Sequence, residues 1–215
     1  MKKSDTNFRN AAREDRRRKV REDRLARFEA SCKALNGQGY VCRDRTLPPR
    51  RAGALGILAA APFALAVFIG GLFLPGKIFL MTGNFFADAA LFVLLLFVSI
   101  PAHEGLHALG WAAVRGTFRG IRFGMAEGAP YCACEEPLPR GRYLFGALLP
   151  LLLLGLGLSI AGLCLRTVPL FALGAFNIAC AGGDIIVSAR AVLSPGILLD
   201  HPERCGFYRF YKDAE

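Results

Sequence analysis

The sequence predicts an all-α membrane protein: four transmembrane helices, with a small cytoplasmic β-hairpin-like insertion between helices 2 and 3. Three observations carry this prediction. Hydrophobic residues make up 53% of the chain, mean hydropathy is +0.37, and the apolar residues fall in long blocks, as expected where the solvent is partly lipid. Four blocks, about 52–74, 85–114, 143–165 and 168–187, are long enough to cross a hydrocarbon layer of ~30 Å. Finally, the Lys/Arg count alternates along the chain: 16 before the first block, then 1, 5 and 1 between blocks, and 4 after the last. By the positive-inside rule, both termini and the 115–142 connection face the cytoplasm, across a bacterial inner membrane.

Residues 1–51 form a basic cytoplasmic tail, with 16 Lys/Arg against 7 Asp/Glu. They carry most of the net charge of +10. Arg13 to Ala30 reads as a solvated helix held by i,i+4 ion pairs or as a disordered, surface-bound tail. A basic excess confined to one tail beside a membrane segment points to anionic lipid headgroups. No nucleic-acid-binding motif accompanies it, so nucleic acid is excluded as a partner. The first ~50 residues are too polar for a cleavable signal peptide.

Ala52 to Leu74 is 23 residues without a charge. Pro62 is expected to kink it, and Pro75-Gly76 to end it before a loop whose only base is Lys77. Asn84 reads as the N-cap of the second span, with Asp88 in the first turn, where a carboxylate suits the helix dipole. That span continues through Pro101, a point expected to bend or admit water, to about Val114. In the connection, Ile121–Met125 and Ala129–Cys134 flank Ala126-Glu127-Gly128, two short β-type runs around a turn. The third span contains Pro150, and Arg166-Thr167 turns the chain into the fourth. Residues 188–215 read as a polar cytoplasmic tail. The seven cysteines, odd in number and placed in cytoplasmic or intramembrane segments, read as reduced thiols. Cys132-x-Cys134 has no second cysteine pair or nearby histidine, which makes it a weak metal motif.

The stretch with chemistry is His103-Glu104-Gly105-Leu106-His107. Residues four apart share a helix face, so the two imidazoles can bind one Zn²⁺, and Glu104 can serve as general base to an attacking water. Ionisable groups are rare inside membrane helices and are usually functional there. A catalytic zinc needs a third protein ligand. Asp88 lies roughly 22 Å up the same helix and is excluded. His201 lies beyond the last span and would have to fold back. Asp184 fits best: spans two and four run the same way, and at ~1.5 Å per residue it sits at nearly the depth of His103. Gly182-Gly183 beside it allow a close backbone approach. Asn177, seven residues before Asp184, is expected on the same face. It would orient substrate or ligand, or make a plain interhelical hydrogen bond.

HEGLHALGWAAVRG in one membrane helix and Gly182-Gly183-Asp184 in a later one resemble a bacterial membrane family named "putative zincin peptidase". Phe123-Gly124, Pro130 to Pro137 and Asp200 to Phe207 add to that resemblance, which covers roughly residues 50–210. HExxH with a late Asp is in turn similar to the site-2 proteases, intramembrane zinc metalloproteases. In those proteins the Asp is typically followed by Gly, whereas here two glycines precede Asp184 and Ile185 follows. The resemblance implies zinc at His103, His107 and Asp184, with Glu104 catalytic, and supplies no substrate; the first reading drawn from all of this is a zinc peptidase acting on membrane-anchored peptide or protein substrates. The same resemblance also gives the hairpin a role: an exposed edge at Ile121–Met125 or Tyr131–Cys134 would hold an unwound substrate by β-addition, which makes Tyr131 a substrate-contacting candidate. The alternative is a non-proteolytic membrane protein that binds or moves a metal. A third reading is a scaffold whose motif no longer works.

Overall fold

A computed structural model describes residues 2–73, 82–126 and 128–212. The expected stop at Pro75-Gly76, the Lys77 loop and the turn residue Glu127 lie outside the described residues. The chain is mostly helical, with small antiparallel sheets. In order it forms α1 (Lys2–Gly37), β1 (Val41–Asp44), α2 (Pro49–Leu72), α3 (Phe85–Arg115), β2 (Ile121–Ala126), β3 (Ala129–Cys134), β4 (Leu138–Pro139) and α4 (Arg140–Pro150). A π-helical stretch (Leu151–Gly157) follows, then α5 (Leu158–Cys164), α6 (Val168–Cys180), α7 (Gly182–Val192), β5 (Ile197–Asp200) and β6 (Phe207–Tyr211).

Among the described residues, three helices are long and apolar enough to cross a membrane: Arg50–Gly71, Phe85–Arg115 and Arg140–Cys164. A fourth crossing exists if α6 and α7, bent by 55° at their junction, count as one span. α3 starts as its sequence dictates. The Asn84 side chain accepts from the amides of Phe86 (2.9 Å) and Ala87 (3.2 Å), and Asp88 sits in the first turn. The helix runs through Pro101 and stops at Gly116, whose φ of 71° is a left-handed C-cap. In the third span the amide missing at Pro150 coincides with a switch from α to π geometry.

The all-α expectation needs a correction in the segments read as tails. β1, β6, β5 and β4 form one four-stranded antiparallel sheet, drawing together residues 41–44, 207–211, 197–200 and 138–139. The reason is burial on both faces. Along β5 and β6, Leu198 and Phe207 face a core shared with Trp111 and Tyr143. Leu199 and Phe210 face Phe28 and Leu35 of α1. The N-terminal segment is thus helical, and its second half is docked on the sheet. Lys19–Asp15 (2.9 Å) and Arg27–Asp23 (2.7 Å) supply the i,i+4 pairs on its outer surface. β2 and β3 form the expected hairpin as a separate two-stranded sheet.

Candidate metal centre

His103 and His107 lie one turn apart on α3, both buried. Across from them, the chain leaves α6 at Ala181 and restarts as α7, so Asp184 sits in the first turn of a new helix. The segment read as one fourth span is therefore two helices bent by 55°. The junction is packed backbone to backbone against α2: a Cβ on Gly182 would meet the Gly56 carbonyl oxygen at 2.4 Å, and one on Gly56 would meet the Gly182 carbonyl carbon at 2.7 Å. Only glycine permits that approach. A Cβ on Gly183 would meet nothing within 4 Å.

The three side chains converge. His103 Nε2 is 2.9 Å from Asp184 Oδ2, and His107 Nε2 is 3.3 Å from Asp184 Oδ1. One ligand atom from each lies within 4.8 Å of the others. The donor set tests whether a metal fits. His107 Nδ1 donates to the Gly146 carbonyl at 2.9 Å, which in the neutral ring leaves a lone pair on Nε2 aimed at a carboxylate oxygen. A lone pair facing an anion is repulsive, so the contact calls for a metal cation or a second ring proton between them. Two imidazole nitrogens and a carboxylate are a familiar zinc donor set, so the residues fit the ion.

The surroundings hold His107 in place. Its ring stacks on Trp111 (5.4 Å, 16°), and Trp111 Nε1 donates to the Tyr143 carbonyl at 3.0 Å. The α3–α4 crossing that brings Gly146 within reach depends on two glycines. A Cβ on Gly110 would lie 2.7 Å from Gly146 Cα, and one on Gly146 would strike the Trp111 ring.

Glu104, half-buried, looks toward the hairpin: the backbone amide of Cys132 faces its carboxylate. The hydrogen-bond phase shows which amides of the hairpin point outward. Cys134 donates its amide to Asp200 and Ile121 to the Phe118 carbonyl, so Cys132 and Cys134 on β3, and Ile121, Phe123 and Met125 on β2, turn their backbone groups away from the partner strand. Cys132 and Cys134 do not join the metal cluster. Burial and the nearby Glu104 push the Cys132 thiol well up, and burial takes Cys134 to about 11, so both stay protonated near neutrality.

Two other candidates are placed elsewhere. Asn177 is buried, but it precedes the helix break and its Nδ2 donates within α6 to the Leu173 carbonyl at 2.8 Å. A 55° bend at Ala181 separates it from Asp184, and its bond is intrahelical rather than interhelical. Tyr131 accepts from Arg24 Nη1 at 2.8 Å and lies over Gly124, tied to α1 and β2. His201 does not fold back as a ligand either: its Nδ1 accepts from the amides of Glu203 and Arg204, both at 3.1 Å.

Sequence reasoning missed Asp200. It accepts from the Tyr143 hydroxyl at 2.6 Å and from the Cys134 amide at 2.9 Å. Burial, opposed by these two bonds, pushes its carboxyl up to about 6. The signal was an aspartate closing an apolar strand, Ile197-Leu198-Leu199, in a segment taken for a polar tail.

Residues 96–196 match a family described as "Putative zincin peptidase". The matched stretch contains His103, Glu104, His107 and Asp184, and it supports a zincin-like family, which implies zinc. No curated protein and no solved structure matches the chain.

Proposed function

We propose that the chain is an intramembrane zinc metallopeptidase, similar in plan to the site-2 proteases, that hydrolyses peptide bonds of membrane-associated substrates. The observation that carries this reading is the convergence of His103, His107 and Asp184 within 4.8 Å, with a carboxylate, Glu104, next to one ligand and not itself part of the cluster. A zinc ion held there supplies Lewis acidity and an activated water near neutral pH. Glu104 takes the proton from the attacking water and hands it to the leaving amine. A protein that only carried a metal would have no use for that carboxylate.

The hairpin holds the substrate. Of the outward amides of β3, Cys134 is bonded to Asp200 and Cys132 is turned toward Glu104, which favours the outer edge of β2, where no third strand pairs among the described residues. Phe123 and Met125 offer their backbone groups there to an extended peptide. Phe123→Pro should abolish cleavage and leave zinc bound, and unchanged cleavage would remove this role. The basic surface of α1 rests on anionic lipid headgroups, with both termini and the sheet on the cytoplasmic side of the inner membrane.

The test is zinc stoichiometry together with cleavage of a panel of membrane-anchored peptides, for wild type and Glu104→Gln. Zinc retained with cleavage reduced about 10²–10⁴-fold supports the peptidase. Zinc retained with no cleavage by either protein supports a metal-binding or metal-transport role. No zinc in the wild type removes both.

A further inference from the structure

Asp200 lies on β5, outside the apolar helices, yet its two oxygens bind two elements that both pack against α3. Oδ1 takes the Tyr143 hydroxyl, on the first turns of α4, and Oδ2 takes the Cys134 amide, at the end of β3. Asp200, Tyr143 and Cys134 are all buried. Hydrogen bonds to an ionised carboxylate are roughly twice as strong as neutral ones, so this is a stiff joint between β5, β3 and α4.

Each joined element then touches the chemistry. One turn along α4 from Tyr143 is Gly146, whose carbonyl accepts from His107 Nδ1 at 2.9 Å and fixes which ring nitrogen faces Asp184. The Tyr143 carbonyl also holds the indole that stacks on His107. Two residues back along β3 from Cys134 is Cys132, whose amide faces Glu104. Residues i and i+2 of a strand turn their amides the same way, so fixing one amide aims the other.

We propose that Asp200 is a positioning residue for the metal centre, holding through Tyr143 the helix that orients His107 and through Cys134 the strand edge that faces Glu104. The C-terminal sheet is therefore part of the site rather than an appendage. This inference rests on the zinc reading above, and its test is arranged to separate the two. An asparagine at 200 keeps the shape, but it accepts from the Cys134 amide only by turning its NH₂ toward the Tyr143 oxygen, so the α4 arm survives only as a reversed, neutral hydrogen bond without the carboxylate.

The experiment uses the full chain in detergent or nanodiscs, with zinc affinity measured by chelator competition and the visible spectrum of the cobalt-loaded protein as a report on ligand geometry. Asp200→Asn should still take up one zinc at saturation, with affinity weakened about 10-fold and a shifted cobalt spectrum. Tyr143→Phe removes only the α4 arm and should reproduce the metal effect, which keeps the test open if Asp200→Asn folds poorly. Phe210→Leu, on the sheet face toward α1, should lower thermal stability and leave affinity and spectrum unchanged. Wild-type affinity and spectrum in both Asp200→Asn and Tyr143→Phe would overturn the inference and leave the zinc reading standing. A shifted spectrum without peptide cleavage by any form would sink the peptidase and leave the inference standing. A wild type that binds no zinc would overturn both.

Discussion

The two halves of the candidate site reach the same point by opposite means. α3 presents His103 and His107 from within an uninterrupted helix that contains Pro101. The opposing half presents Asp184 only because its helix breaks at Ala181 and restarts. The difference follows from what each half must supply. Two imidazoles on one ion need a fixed 5–6 Å spacing, which one helical turn provides. A single carboxylate needs only direction, and the first turn of a helix both aims it and favours its charge. The α3 half is braced by the Gly146 carbonyl, by Trp111 and, through Tyr143, by Asp200. The Asp184 half starts at a close backbone contact, Gly182 against Gly56, with Val187 and Ala191 packed farther along α7 against the Trp111 core.

The largest effect expected from breaking this arrangement is in α3 itself. His103→Ala removes a ligand from a pair that cannot be replaced, and should abolish both bound zinc and cleavage, as read by metal analysis and peptide assay. Next is the α7 half. Gly182→Ala forces α2 and α7 apart, because the added carbon meets backbone at 2.4 Å. A displacement of about 1 Å at Asp184 should cost cleavage on the order of 10²-fold. Gly183→Ala, one residue on and facing open space, should stay within about twofold of wild type. Equal effects at 182 and 183 would show that the glycine contact does not place Asp184.

A smaller effect sharpens the comparison through the brace. Asp200 has its carboxyl raised from 3.8 to about 6. A raised acid binds its proton more tightly in the folded state, so its contribution to stability is fully present below the unfolded value and is lost as pH rises through the folded one. Unfolding measured from pH 4 to 8 should show wild type losing up to about 3 kcal/mol relative to Asp200→Asn as pH rises through about 6, levelling above about 7. The smallest effect is expected at Gly105, inside the HExxH turn but facing open space. Gly105→Ala should leave cleavage unchanged and raise stability by about 0.5–1 kcal/mol, the ordinary gain for a helix interior.

What the sequence revealed follows the same division. The His103–His107 pair and the Asn84 cap were legible because their information is local: a four-residue spacing, and a side chain meeting amides two and three residues away. The pairing with Asp184 was legible by depth, since apolar spans have a ruler in the bilayer. The break at Ala181 was not, because Gly182-Gly183 reads equally as a packing contact within a straight helix, and the relation of Asn177 to Asp184 was drawn along an unbroken helix for that reason. The four-stranded sheet was also missed. Its strands are two to five residues long and pair across large sequence separations, so no window of sequence contains a pair except β5 and β6. There, Gly206 before Phe207-Tyr208-Arg209-Phe210-Tyr211 was a strand signal within reach. Asp200 became meaningful only once that sheet delivered it to Tyr143 and Cys134.

The central claim is that one divalent ion joins the continuous helix to the broken one. The most direct test is zinc content and affinity of the purified full chain, wild type against Asp184→Ala, each checked for folding. The account predicts one zinc per wild-type chain and binding at least about 100-fold weaker without the carboxylate. Equal zinc content and affinity in the folded Asp184→Ala protein would contradict it.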